Sequence, residues 1–382
     1  MKTLQSWSFP TQIYFGCGAI QKLPEICKQY NIKRPLLVTD PFLANNIITQ
    51  NLIPDLEQNN IIVSVFSDVK SNPTDTQAFK GKMQFLEKKC DGVIALGGGS
   101  PLDAGKAIAL LINHTFALSE LEDIDDNYKK ATNSIPPIIA IPTTAGTGSE
   151  VGRAAVLHDT EQNRKIILFH PDLLPKVVLA DPNLTLALPP TLTAATGMDA
   201  LSHCLEAYCS PSFHPSAEGI ALEGMRQIKN NLMTTYQYGQ NIEARSGMLV
   251  ASQMGAIAFQ KGLGGMHALS HAIGALHDYH HGLLNAILMP YVLKFNRPVL
   301  VEKLSRLENF LGFESNQGQS ILTWVLDLKE QLNIPNTLSE LGMVHSDDPE
   351  LIKLALQDPS CAGNPVPLDQ YNLKLILAEA LG

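Results

Sequence analysis

Between Pro35 and Pro182 short apolar runs alternate with longer segments of helical spacing, and this alternation restricts the fold more than any other feature of the chain. Five runs, often bounded by turn residues, read as buried strands: PLLVTD (Pro35 to Asp40), IIVSVF (Ile61 to Phe66), DGVIALGGGS (Asp91 to Ser100), PPIIAIPTTAG (Pro136 to Gly146) and KVVLADP (Lys176 to Pro182). Segments such as TDTQAFKGKMQFLEKK (Thr74 to Lys89) and PLDAGKAIALLI (Pro101 to Ile112) carry helical periodicity between them. Strands alternating with helices predict an α/β layer built on a parallel sheet. FPTQIYFG (Phe9 to Gly16) alternates weakly ahead of the first crossover and reads as an edge strand or an intersubunit strand.

From about Pro189 the pattern changes. Helix formers dominate ALPPTLTAATGMDALSHCLEAYCS, AEGIALEGMRQIKNNLMTTY, NIEARSGMLVASQMGAIAF, ILTWVLDLKEQLNI and NLKLILAEAL, with few strand signals. The expected organisation is therefore an α/β domain over residues 1–187 and an all-helical domain over 188–382, with substrate in the cleft between them. The 382 residues are enough for two domains, and 45% hydrophobic against 17% charged content supplies their cores. A formal charge of −9 argues against a nucleic-acid surface. Cys17, Cys27, Cys90, Cys204, Cys209 and Cys361 form no CxxC pair, which suits a reducing cytosol. MKTLQSWSFP lacks an apolar run of signal-peptide length, and MLVASQMGAIAF (Met248 to Phe259) is too short and polar to span a bilayer. The expectation is a soluble cytoplasmic protein with no membrane or nucleic-acid partner.

Two glycine-containing loops follow expected strands. LGGGSPLDAGK (Leu96 to Lys106) opens a helix, where consecutive glycines let a phosphate approach backbone amides at the positive end of the helix. It matches neither GxGxxG nor GxxxxGK[ST], so a plain tight turn is the competing explanation. PTTAGTGSE (Pro142 to Glu150) offers Thr143, Thr144, Thr147 and Ser149 to a nucleotide or ribose edge. Both loops would lie outside the carboxyl ends of the strands, where open α/β sheets bind ligands. Asp40, closing the first strong strand, can accept from a ribose 2′-hydroxyl and repel a 2′-phosphate, or simply start an Asp-Pro turn.

The helical half holds five of the eleven histidines within fifteen residues: His267, His271, His277, His280 and His281. Imidazole binds transition metals and titrates near pH 7. Asp199 and His203 stand at i, i+4, one turn apart on one helical face, and His267 and His271 repeat that spacing on another helix. One carboxylate with imidazoles from separate segments suits a divalent first-row metal.

Taken together, NPT (Asn72 to Thr74), GGGSPLDAGK, PTTAGTGSE, DPNLTLALP, TAATGMDALSHCLEAY (Thr193 to Tyr208) and HALSHAIGALHDYHHGLLNAILMP (His267 to Pro290) resemble the iron-containing (group III) alcohol dehydrogenases, over nearly the whole chain. The resemblance implies the dehydroquinate-synthase-like fold: an α/β dinucleotide-binding domain followed by an all-α metal-binding domain. It implies metal ligands at Asp199, His203, His267 and His281, with His271 as an additional active-site histidine. Cofactor contacts are implied at Asn72, Gly97, Gly98, Gly99, Ser100, Asp103, Thr143, Thr144, Thr147, Lys165 and Leu184, and at Asp40 as the acid favouring NAD over NADP.

The activity so implied is reversible hydride transfer between NAD and a small primary alcohol or aldehyde, of the propanediol or lactaldehyde type or a short-chain alcohol. Fe²⁺, or else Zn²⁺, would serve as Lewis acid, His271 or His277 would relay the proton, and a homodimer would form through the N-terminal strand. A glycerol-type polyol dehydrogenase and a hydroxyacid–oxoacid transhydrogenase are alternatives on the same fold. A non-catalytic nucleotide- or metal-binding protein is the alternative of another class. The chain departs from the family pattern at His280, usually proline, at the variable His277, at Arg153 where a threonine is expected soon after Glu150, and at NPVP (Asn364 to Pro367) in place of Asn-Pro-Arg. The full ligand set argues against metal-free relatives such as maleylacetate reductases.

Overall fold

The computed structural model describes residues 7–9, 11–344 and 348–382. Most of the opening segment read for a leader lies outside them, as does Pro10 of FPTQIYFG.

Among the described residues eight strands form: β1 (Gln12–Phe15), β2 (Pro35–Val38), β3 (Ser64–Phe66), β4 (Gly92–Gly97), β5 (Ile138–Pro142), β6 (Ala154–Asp159), β7 (Arg164–Phe169) and β8 (Val177–Ala180). Six make one parallel sheet in the order β1-β8-β5-β4-β2-β3. In this chain β1 is an edge strand, paired with β8 from Gln12↔Val177 to Phe15↔Ala180. The run from Ile61 becomes strand only from Ser64. Helices α1 (Leu23–Gln29), α2 (Pro41–Ala44), α3 (Ile47–Gln58), α4 (Asp75–Glu87) and α5 (Gly99–Leu111) connect the strands. A reciprocal cap starts α4: Gln77 donates its amide to Thr74 Oγ1 at 3.2 Å, and Thr74 donates its own to Gln77 Oε1 at 3.1 Å.

Neighbouring strand residues serve opposite faces. Leu36 and Val93 pack with Ala104 and Ile108 of α5, while Leu37 and Ile94 pack with Leu23, Ile26, Leu52 and Leu56 of α1 and α3. Burial on both faces is why these strands read as unbroken apolar runs.

β6 and β7 form a separate antiparallel hairpin that strand counting did not foresee. Its faces alternate, with Ala155, Leu157, Ile166 and Leu168 buried, and its turn uses Asn163 at φ 49°.

Beyond Ala180 the described residues form no strand. The long helices are α6 (Pro190–Cys209), α7 (Pro215–Gln237), α8 (Ile242–Ala258), α9 (Gly265–His277), α10 (His281–Asn296), α11 (Val301–Leu311), α12 (Gln319–Gln331), α13 (Pro349–Gln357) and α14 (Gln370–Leu381), around one apolar core. Leu249 and Ala256 of α8 meet Ala95, Ala140 and Val178 of the sheet, so the two halves share an apolar floor. Among the described residues no helix is long and apolar enough to cross a membrane.

The connection into α6 is pinned by a buried guanidinium. Arg245 donates to Leu188 O at 3.1 Å, Gly239 O at 2.8 Å and Thr193 Oγ1 at 3.0 Å. Arg245→Met would leave those acceptors short of a charged donor inside the protein. The expected loss is about 2–3 kcal/mol, read from the urea midpoint; an unchanged midpoint would remove this role.

Candidate metal centre and cofactor cleft

Three helices converge on one point. Asp199 and His203 come from α6, His267 from α9 and His281 from the first turn of α10. Each offers one ligand atom, and the four atoms lie within 4.8 Å of one another. His203 and His267 stack at 4.8 Å between centroids, and His281 Nε2 stands 3.6 Å from Asp199 Oδ1.

The surroundings suit a cation. Asp199 is 2% exposed, and no lysine or arginine among the described residues lies within ion-pair distance of it. A buried carboxylate needs a compensating charge. Burial lowers His203 to about 4 and His281 well below the ordinary histidine value, so both rings are neutral donors near pH 7. For His267 burial pulls down, but the adjoining Glu206 carboxylate outweighs it and the net shift is upward.

Glu206 is a participant that residue spacing had not singled out. It lies three residues after His203 on the same helix face. Its Oε2 accepts from His267 Nδ1 at 2.7 Å, and its two oxygens also accept from the Met266 and Gly264 amides at 2.7 and 2.9 Å. With Nδ1 so engaged, His267 turns Nε2 towards the cluster. Asn285, one turn after His281, is another. Its Nδ2 donates to Asp199 Oδ1 at 2.9 Å and lies 3.2 and 3.1 Å from Nε2 of His267 and His281. Glu206→Gln is expected to weaken metal binding about 10–100-fold, measured by competition with a chelator; wild-type affinity would show that Glu206 has no such role.

His271 sits one turn after His267, its ring stacked on His281 at 5.0 Å. His277, the last residue of α9, is exposed and faces the Tyr279 ring at 5.9 Å. His280 has φ −64°, within the range that a proline would impose. Asn364 of NPVP accepts from Gly265 N at 3.1 Å, tying the C-terminal segment to the start of α9. Arg153 lies over the Phe169 ring at 5.0 Å.

The expected cofactor residues gather mostly along the carboxyl edge of the sheet. Gly97 leaves β4 at φ +148°, and a Cβ there would stand 2.6 Å from Pro101 Cγ. A Cβ on Gly99 would stand 2.6 Å from Thr147 Cγ2, so the glycine run lies flush against the loop carrying Thr143, Thr144 and Thr147. The helix begins at Gly99, two residues earlier than expected, and no side chain caps its first turn. Asp40 lies two residues beyond β2 and caps α2, Oδ1 accepting from Phe42 and Leu43 at 2.9 Å. Leu184 is buried just after β8.

Other expected cofactor side chains are engaged within the protein. Ser100 donates to Ser71 O at 2.5 Å, and Asp103 accepts from Ser149 Oγ at 2.5 Å and Val156 N at 3.0 Å. Asn72 donates across the cleft to Asp278 Oδ1. Lys165, on β7, points its ammonium at Gly274 of α9. Burial lowers it to about 8, against the pull of Asp199, Asp278 and Asp358.

A model of the iron-containing alcohol dehydrogenases matches residues 10–182, and a model of that family's C-terminal region matches residues 193–381. The chain belongs to the iron-containing alcohol dehydrogenase family. It is 38% identical to a 4-hydroxybutyrate dehydrogenase of Cupriavidus necator, over 97% of this chain and 98% of that one. It is 37% identical to a 1,3-propanediol dehydrogenase of Citrobacter freundii, over 97% of each. The solved 1,3-propanediol oxidoreductase superposes with a TM-score of 0.94 at 34% identity, covering 99% of this chain and 100% of the other. The alcohol dehydrogenase of Oenococcus oeni follows at 0.93 and 30%, covering 98% and 100%. As a member of this family the chain is an oxidoreductase acting on alcohols, with a dinucleotide-binding α/β half and a helical half.

Proposed function

We propose that this dehydrogenase interconverts a short primary alcohol, diols included, and its aldehyde, using NAD and a divalent ion held by Asp199, His203, His267 and His281. The observation that carries the proposal is the convergence of those four ligand atoms within 4.8 Å, on residues that are buried at Asp199, His203 and His267 and half-buried at His281. One carboxylate and three imidazoles suit Fe²⁺ and also Zn²⁺. When bound, the ion supplies Lewis acidity towards the substrate oxygen, and the nicotinamide takes up or returns the hydride.

The chain's own residues do the rest. Gly97, Gly98, Gly99 and the uncapped amides of α5 receive the pyrophosphate. Asp40 favours a free ribose 2′-hydroxyl over a 2′-phosphate. Thr143, Thr144, Thr147, Leu184 and Lys165 line the path to the metal centre, with Asn72 and Asp103 holding the loops beside it. His271, buried against His281, is better placed to handle the alcohol proton than the exposed His277, which stands at the rim. The edge strand β1, which among the described residues pairs with a strand on one side only, supports a homodimer.

The test couples elemental analysis of the purified protein with NADH oxidation over a panel of short aldehydes, repeated with NADPH. The expected result is about one divalent ion per chain and turnover faster with NADH. A metal-free protein that oxidises neither cofactor with any aldehyde would overturn the proposal.

A further inference from the structure

We propose that Asp358 is a positioning residue for this reaction, fixing the tautomer and direction of the His271 ring so that Nε2 is offered to the substrate's hydroxyl proton. The proposal rests on the function proposed above and names a residue that neither spacing nor motif had marked. Asp358 lies 87 residues downstream of His271, between α13 and a 3-10 turn at Pro359–Gly363. Its Oδ2 stands 2.7 Å from His271 Nδ1, and its Oδ1 accepts from Ser360 N at 2.8 Å. The two side chains are only 7% and 10% exposed, so neither has room to swing. A carboxylate accepts, so His271 carries its hydrogen on Nδ1 and keeps a lone pair on Nε2. Nε2 has no hydrogen-bond partner among the described residues.

The same device occurs one helical turn earlier, where Glu206 engages His267 Nδ1 at 2.7 Å. Two carboxylates thus set two imidazoles on one helix. One turns Nε2 to the ion site, and the other keeps Nε2 for a proton. His271 is held against the cluster by its stack on His281, at 17° between planes, and by its edge against His267 at 5.8 Å.

In the oxidative direction the substrate O–H bond breaks, its electron pair stays on oxygen, and the proton goes to His271 Nε2. With NAD⁺ bound, the carbinol C–H pair would leave as hydride to that cofactor, and the ring would later pass its proton to water. Asp358 remains ionised throughout and stabilises the imidazolium without taking the proton, as carboxylates behind catalytic histidines do.

The experiment uses the full-length zinc-loaded protein with ¹⁵N-labelled histidine, as wild type and as Asp358→Asn. Wild type is expected to show His271 protonated on Nδ1, and an Nε2–H ring there would overturn the proposal without any variant. In Asp358→Asn the carboxamide can donate to Nδ1, and the resonances should shift towards the Nε2–H form. That variant should keep wild-type zinc content and a similar KM, while kcat falls about 10²-fold. His271→Ala combined with it should be no slower than His271→Ala alone. Unchanged His271 resonances, or wild-type kcat per bound zinc, would overturn the proposal while leaving the function standing. Absence of turnover in the wild type would instead overturn the function, and the proton-transfer role with it.

Discussion

His267→Ala is expected to purify without metal and without activity, whereas His271→Ala should keep its metal and lose only rate. Both residues lie on the buried face of α9, one turn apart, and both hydrogen-bond a carboxylate through Nδ1. Only His267 aims Nε2 into the four-atom cluster. Truncating it removes one donor of four, and it also leaves Glu206 buried without the ring it engages. Lewis-acid stabilisation of the reacting oxygen is worth several kcal/mol, so kcat/KM should fall at least about 10³-fold. Stability supplies a second readout. An ion present at about 100 times its Kd stabilises the fold by about 2.7 kcal/mol, so a chelator should lower the midpoint of the wild type and leave His267→Ala unmoved. His267→Ala with wild-type metal content and activity would remove it from the ligand set.

How much of this arrangement was legible depended on how local its parts are. The parallel sheet announced itself because its inner strands β2, β4, β5 and β8 are buried on both faces, so their apolar runs are unbroken. The β6–β7 hairpin did not, because one face is only half-buried, its strands AAVLHD and RKIILF show no polar–apolar alternation, and its asparagine turn lacks glycine. Asp199 and His203 share a helix face at i, i+4, and the histidines of α9 and α10 crowd one stretch of chain. That three helices bring them to one point is a tertiary fact, which the family resemblance carried and spacing did not. Glu206 and Asn285 had a usable signal, since they follow His203 and His281 by three and four residues on the same helices. Asp358 had none. It meets His271 only because α13 and the turn after it fold back across α9.

Gly282→Ala should disrupt the metal centre, although the residue has no side chain to contribute. It follows His281 in the first turn of α10, where that helix crosses α6. A Cβ there would stand 2.5 Å from Ala195 O and 3.1 Å from Asp199 Cβ. The first contact is with a backbone carbonyl inside a helix, which cannot rotate away as a side chain would. Relief requires α10 to move off α6, and that motion draws His281 from Asp199. Overpacking of this kind costs about 1–3 kcal/mol of stability, which a folded domain survives. The catalytic penalty is larger, because displacing a reacting group by about 1 Å can cost about 10²-fold in rate. Gly282→Ala is therefore expected to fold, to hold metal weakly, and to lose activity about 10²-fold or more. Gly219→Ala provides the contrast: it sits on the exposed face of α7 with nothing within 4 Å of its would-be Cβ. Alanine there should stabilise the helix by about 0.5–1 kcal/mol and leave metal content and turnover alone. If Gly282→Ala matched wild type in both metal content and kcat, the close approach of α10 to α6 would not be what holds His281 and Asp199 together.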